Sequence, residues 1–232
     1  MLDTRPPHER LAAVLRAEIM DGTLVGQLPN TDGLKKRFED EGVGNATITK
    51  VINTLKAEGL VRGVRGSGVF VVDRSEGVIT AKAYIEPDAR WQYVILEVCE
   101  ATPPGDVAAT LGTDVAVVRR RLGLKDGAPL EISESYFLPT VARQAGLDTK
   151  RKSRGGAPKA LADIGLPQRG ARDVVSSRVP TTREFELLNL PPDVNVLRTL
   201  RTIWSDDGQV VEVDVIFKGA HKYAQEYEVP LA

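Results

Sequence analysis

Leu11, Leu15 and Ile19 recur every fourth residue with Val14 alongside, so residues 7–21 read as an amphipathic helix that Asp21-Gly22 ends. After Gly26 and Pro29, Asn30 or Thr31 is placed to cap a second helix reaching about residue 41, with Leu34 and Phe38 as its buried residues. Gly42 and Gly44 make a tight connection. Asn45 then reads as the cap of a third helix with Ile48, Val51, Ile52 and Leu55 on its inner face and Gly59 as its stop. The pattern next changes from a period near 3.6 to short β runs: Leu60-Val61-Arg62, a turn over Gly63 to Gly68, and Val69-Phe70-Val71-Val72. Three short helices followed by a glycine-tipped hairpin is the outline of a winged helix-turn-helix.

Residues 73–88 lose this periodicity and gain charge, which places a linker there, ending near Pro87. Beyond it the chain repeats itself. Asp114-Val115-Ala116-Val117-Val118-Arg119-Arg120-Arg121, Asp126-Gly127 and Leu130-Glu131-Ile132-Ser133 are echoed by Asp193-Val194-Asn195-Val196-Leu197-Arg198, Arg201, Asp207-Gly208 and Val211-Glu212-Val213-Asp214. Each copy is a strand, an Asp-Gly turn and a strand, preceded by a short helix at 106–111 or 182–188. Two copies are too few for a solenoid and imply a pseudo-symmetric α+β domain around one antiparallel sheet.

Alternation puts Glu131, Ser133 and Ser135 on one side of a strand, opposite Leu130, Ile132 and Tyr136, and puts Glu212, Asp214 and Ile216 opposite Val211, Val213 and Val215. Arg119 and Arg121 share a side of the outgoing strand. Arginine as a bidentate donor and glutamate as an acceptor suit capture of a small polar or anionic ligand. Alternation alone favours a sheet with one solvent-facing side over a ligand site, because that is the commoner arrangement in antiparallel sheets.

Composition narrows the classes. The 232 residues suit two domains, with apolar residues at 42% and charged residues at 27%, a foldable composition. Lys plus Arg (31) nearly balances Asp plus Glu (32), excluding a uniformly basic nucleic-acid coat. The charge is nevertheless uneven: residues 45–74 carry Lys50, Lys56, Arg62, Arg65 and Arg74 against Glu58 and Asp73, a net +3. At the head of the third helix, Asn45, Thr47, Thr49 and Lys50 have the side chains that read base edges or meet phosphate. In the hairpin, Arg62 and Arg65 flank Gly66, Ser67 and Gly68, where glycines allow close backbone approach. A single cysteine, Cys99, and two distant histidines, His8 and His221, leave no disulfide framework and no metal site, and no cofactor motif appears. The absence of a signal pattern or a membrane-length apolar run points to the cytoplasm. The basic run Lys150-Arg151-Lys152-Ser153-Arg154 reads as a solvated loop in preference to a second DNA contact or a phosphate-binding loop.

Two resemblances extend this. Gly22-Thr23-Leu24, Leu28-Pro29, Ala46-Thr47-Ile48-Thr49-Lys50-Val51, Leu55-Lys56-Ala57-Glu58-Gly59-Leu60-Val61 and Gly66-Ser67-Gly68-Val69-Phe70-Val71 resemble the DNA-binding domain of GntR-family bacterial regulators over residues 8–73. Asn30-Thr31-Asp32 and Gly44-Asn45 stand where that family usually has Ser-Glu-Arg and Ser-Arg. Two family arginines are therefore absent, which implies an altered operator or weaker affinity. Residues 90–231 resemble the UTRA effector domain of the HutC subfamily through Val118 to Arg121, Asp126 to Leu130, Ser135-Tyr136, Leu138-Pro139, Arg178, Glu184, Leu187-Leu188, Val196-Leu197, Asp207-Gly208, Val211-Glu212 and Tyr223. That resemblance implies a chorismate-lyase-like fold. It also implies an effector site at Arg119, Arg121, Glu131, Ser133 and Glu212, with Ser135, Arg178, Asp214 and Tyr223 as further candidates. Lys218-Gly219-Ala220-His221-Lys222-Tyr223 departs from the Arg-Gly-Asp-like stretch of relatives, so their sugar-phosphate ligands do not transfer. The expected organisation is a winged helix-turn-helix domain over 1–73, a linker over 74–89 and an effector-binding and dimerisation domain over 90–232. The expected function is a non-enzymatic, homodimeric repressor that binds a palindromic DNA operator and is released by a small molecule. The alternative is a small-molecule enzyme on the lyase-like domain, with Glu131 and Glu212 as its paired acids. Against it, no nucleophile–base or metal-ligand constellation is visible.

Overall fold

The computed structural model describes residues 3–72, 91–151, 155–221 and 223. They fall into two compact units, one holding the N-terminal helices and hairpin and the other a six-stranded sheet. The linker expected at 74–89 lies outside the described residues, as does most of the basic run at 150–154.

In the first unit the apolar stripe of α1 (Pro7–Met20) buries Leu11, Ala12, Leu15 and Ile19. They pack with Leu34 of α2 (Thr31–Arg37), with Ile48, Val51 and Leu55 of α3 (Asn45–Ala57), and with Leu60 and Val61. Asn30 caps α2, its side chain accepting from the Gly33 N–H at 2.8 Å. The second helix is shorter than the sequence suggested: it ends at Arg37, and Glu39–Glu41 form a single 3-10 turn, with Phe38 and Ile52 only partly buried. Asn45 is not the cap of α3. Gly44, extended at φ −90°, holds that position, and Asn45 is the first helical residue, its carbonyl accepting from the Thr49 hydroxyl. The end of α3 is a Schellman motif. Gly59 takes φ +71°, its N–H donates to Lys56 O, and Leu60 N–H donates to Leu55 O. The hairpin β1 (Val61–Val64) and β2 (Gly68–Val71) has a tighter tip than expected, closed by Ser67 N–H donating to Val64 O.

The second unit is one antiparallel sheet in the order β3-β4-β5-β8-β7-β6. Its strands are β3 (Trp91–Ala101), β4 (Ala116–Lys125), β5 (Ala128–Phe137), β6 (Gly170–Arg178), β7 (Val196–Trp204) and β8 (Val210–Gly219). The duplicated hairpins meet at the centre, where β5 pairs with β8. Both Asp-Gly turns have positive φ at both residues (Asp126 51°, Gly127 78°; Asp207 62°, Gly208 74°), which matches the right-handed twist of the strands they join. The repeat is larger than the sequence reading: each half is an outer strand, a helix and a hairpin. One half runs β3, α4 (Gly105–Leu111), β4, β5; the other runs β6, α7 (Thr182–Leu187), β7, β8.

Both faces of this sheet are covered. On one, Val118, Ile132, Tyr136, Val196, Val213, Val215 and Phe217 pack against Val107 and Leu111 of α4 and against Leu188 and Leu190 after α7. On the other, Val117, Phe137, Ile203 and Val211 pack against α5 (Pro139–Gln144), Leu147, and Ala160 and Leu161 of α6 (Gly156–Asp163). Val211 thus leaves the row of Val213 and Val215 to which simple alternation assigned it. The register with β7 slips between Ile203 and Trp204, and such a bulge turns a side chain to the opposite face.

Candidate nucleic-acid interface and ligand pocket

On the N-terminal unit, Asn45, Thr49 and Lys50 are exposed near the start of α3, and Thr47 is half-buried. Their exposure follows from the helix period, since Ile48, Val51 and Leu55 take the core side. Arg62, Arg65, Gly66, Ser67 and Gly68 are all exposed on the hairpin. Gly66 takes φ +77° and Gly68 φ +117°, and a Cβ on Gly68 would stand 2.7 Å from Gln27 Nε2. That side chain donates to Ser67 O at 2.7 Å, while Leu28 N–H donates to Val69 O and Val71 N–H to Gly26 O. The segment before α2 therefore grips the hairpin and fixes the pose of its tip, a role the sequence pattern did not show. A second unforeseen tie joins α1 to the end of α3. Glu58 is fully buried and accepts a bidentate pair from Arg16, Nε at 2.8 Å and Nη2 at 2.5 Å. Hydrogen bonding to Glu58 raises the Arg16 pKa.

In the sheet unit, Arg119, Arg121, Glu131, Ser133, Ser135, Glu212 and Asp214 come together on one face, because cross-strand partners share a face. Arg119 stands opposite Ser135, Arg121 opposite Ser133, and Ser135 opposite Asp214. The solvent-facing alternative is excluded. Glu131, Ser133, Ser135 and Glu212 are each 3% exposed or less, beneath the layer formed by α5 and α6.

Burial forces these groups to satisfy one another. Arg121 Nη2 donates to Ser133 Oγ at 2.9 Å and Ser135 Oγ at 2.8 Å, and the Ser135 hydroxyl donates to Asp214. The Tyr93 hydroxyl donates to Glu131 at 3.0 Å, and Lys218 pairs with the other Glu131 oxygen at 3.1 Å. Glycine at 123 makes room for Glu131, since a Cβ there would meet its Cγ at 2.8 Å. Gln168 donates to Glu212 at 2.6 Å. Burial, followed by the neighbouring Asp214 charge, pushes the Glu212 carboxyl well above its ordinary range. Burial likewise lowers Arg119 and Lys218 and raises Tyr93.

Arg119 is spent on the main chain. Nη1 donates to Leu147 O and Thr149 O, and Nη2 donates to Arg151 O. A cavity of about 270 Å³ opens beside this row, lined by Arg119, Arg121 and Ser135 together with Tyr93, Ile95, Phe137, Leu147, Gly156 and Ala157.

One expected member of the site is elsewhere. Arg178 lies on the opposite face, paired in register with the core residue Val196. It donates to both oxygens of Glu184, the capping-box residue of α7, and sits 5.2 Å from the Phe217 ring. Odd and even positions of β6 point to opposite faces, and 178 has the parity of the face that packs against α4 and the residues after α7. Tyr223 follows the last strand by four residues and is buried.

Three helices with a two-stranded hairpin, followed by a helix-covered antiparallel sheet with a cavity beside its polar row, define a two-unit chain. The UTRA domain model matches residues 88–224, and the chain belongs to that family. An uncharacterised HTH-type transcriptional regulator of Rhizobium meliloti (strain 1021) is 26% identical over 217 residues, covering 88% of this chain and 86% of the relative. A solved chain described as a GntR-family transcriptional regulator shares the fold with a TM-score of 0.59 at 21% identity, covering 98% of this chain and 99% of that one. PhnF from Mycobacterium smegmatis shares it with a TM-score of 0.57 at 14% identity, over 95% and 100% of the two chains. No helix among the described residues is long and apolar enough to cross a membrane.

Proposed function

We propose that this chain is a ligand-responsive transcriptional regulator of the GntR family, HutC subfamily, and acts as a repressor. In this reading the head of α3 enters the major groove with Asn45, Thr47, Thr49 and Lys50. The hairpin lays Arg62, Arg65 and the Gly66-Ser67-Gly68 tip against the backbone or minor groove. The sheet unit carries dimerisation, so two readers meet the two halves of a palindromic operator. A small molecule in the pocket beside Arg119 and Arg121 binds the DNA-free arrangement more tightly and so releases the operator. Glu131, Ser133, Ser135, Glu212 and Asp214 hold the pocket's cationic wall in place.

One observation carries the reading: a single chain joins an exposed Asn45–Lys50 helix face on a winged scaffold to a UTRA sheet whose buried polar row opens on a cavity. Footprinting on the DNA upstream of the chain's own gene tests it. Protection of an inverted repeat is expected, and protection of no inverted repeat in any condition overturns it.

A further inference from the structure

The two edges of the six-stranded sheet are finished differently. β3 carries a register slip between Ile95 and Glu97, and Lys150 Nζ donates to Leu96 O at 3.0 Å. A bulge and an edge lysine are devices that stop a strand from pairing further. β6 has neither bulge nor lysine. Its register with β7 runs unbroken from Gly170 opposite Trp204 to Arg178 opposite Val196, and every residue from Ala171 to Ser177 is exposed. Among the described residues of the sheet unit, the exposed large apolar side chains are Val94, Val115, Val174, Val175, Val179 and Phe185, so most of them lie in β6 or just after it. An open row of backbone N–H and C=O groups with apolar side chains beside it is a template for another strand.

The sequence of β6 says which strand fits. Two copies related by a two-fold axis normal to the sheet pair antiparallel, and each residue keeps its face, so opposed residues are both odd or both even. A register centred on Arg172 sets that arginine on itself, one centred on Asp173 sets the acid on itself, and one centred on Val175 sets Arg172 on Arg178. Like charges directly opposite are destabilising. Centred on Val174, the register sets Val174 on Val174, Arg172 on Ser176 and Asp173 on Val175, and it alone pairs the whole strand from Gly170 to Arg178. Asp173 brings no bare charge to that edge, because Arg201 Nε and Nη2 donate to it at 2.7 and 2.6 Å. We infer that β6 is a self-pairing edge: a second copy of this chain adds its own β6 antiparallel across a two-fold axis at Val174, joining the two sheets into one. It rests on the reading that the sheet unit carries dimerisation, and it names the surface and the register.

Sedimentation equilibrium of the full chain is the first test. The unaltered chain is expected to be a dimer. Val174→Glu, which sets two carboxylates opposite each other at an exposed position, is expected to raise the dimer dissociation constant at least ten-fold, and Val94→Glu on the other edge to leave it unchanged. Disulfide trapping with diamide in a Cys99→Ala background reads the register and decides even where Val174→Glu does not fold. Val174→Cys is expected to cross-link, because directly opposed Cα atoms lie about 4.5–5.5 Å apart. Ser176→Cys is expected not to, because the same register sets it four residues, roughly 14 Å, from its copy. A monomeric chain, a dimer that a folded Val174→Glu leaves intact, or failure of Val174→Cys to cross-link each overturns the inference. The outcomes also separate it from the reading beneath it. A dimer that neither Val174→Glu weakens nor Val174→Cys traps keeps dimerisation and overturns the β6 surface. A dimer trapped through Val174→Cys that protects no inverted repeat keeps the surface and overturns the regulatory reading.

Discussion

Arg16→Ala removes the cation that Glu58 faces in the interior of the N-terminal unit. Glu58 is fully buried and both its oxygens are taken by Arg16. The variant therefore leaves an uncompensated buried carboxylate, a change that costs about 3–5 kcal/mol. A unit of this size has about 4–10 kcal/mol in total, at roughly 0.05–0.15 kcal/mol per residue. The unit becomes marginal, and α3 with it, because the pair ties α1 to the turn that ends α3. Native-state hydrogen exchange reads this locally. Amides of Val51 and Leu55 are expected to lose protection by roughly two to three and a half orders of magnitude, while amides of β5 and β8 hold theirs. The double variant Arg16→Met with Glu58→Leu, which replaces the pair by apolar groups, is expected to recover most of the loss. A fall in α3 protection worth less than about 1 kcal/mol would refute the reasoning, because the pair would then behave as an exposed ion pair.

Three further outcomes follow from the same geometry. Glu212 has its pKa raised by burial and by Asp214, so the folded sheet unit holds a proton that the unfolded chain releases. Stability is then present below the ordinary glutamate range and falls as pH rises through the folded value. Urea melts across pH should show that decline, and Glu212→Gln should flatten it. Gln27→Ala frees the hairpin tip from its bond to Ser67 O, so DNA affinity should fall several-fold in titration while the melting temperature of the chain stays within about 1–2 °C. Lys50→Ala and Arg65→Ala should each lower the slope of log affinity against log salt by about one, and an unchanged slope would place that residue off the interface.

The readable parts of this chain are those with a local signal. The stripe of Leu11, Leu15 and Ile19, the Gly59 stop and the two Asp-Gly turns each use backbone chemistry that few other arrangements satisfy. The outer strands had none. β3 reads Trp-Gln-Tyr-Val-Ile-Leu-Glu-Val, with a register slip at Ile95/Glu97 that spoils its alternation, and β6 is an exposed edge with little apolar face to betray it. Alternation correctly grouped Arg119, Arg121, Glu131, Ser133, Ser135, Glu212 and Asp214, but could not reveal that α5 and α6 bury their side. Covering that side takes contacts between segments that periodicity never compares. The bulge that moves Val211, the parity that sends Arg178 to the other face, and the commitment of Arg119 to the carbonyls of Leu147, Thr149 and Arg151 are likewise tertiary facts.

The central claim is that the winged unit of this chain reads two-fold symmetric DNA. Selection from random-sequence duplexes with the full chain measures it most directly. Enrichment of an inverted repeat with half-sites about one helical turn apart is the predicted result. Recovery of no motif, or of one without two-fold symmetry, would contradict it.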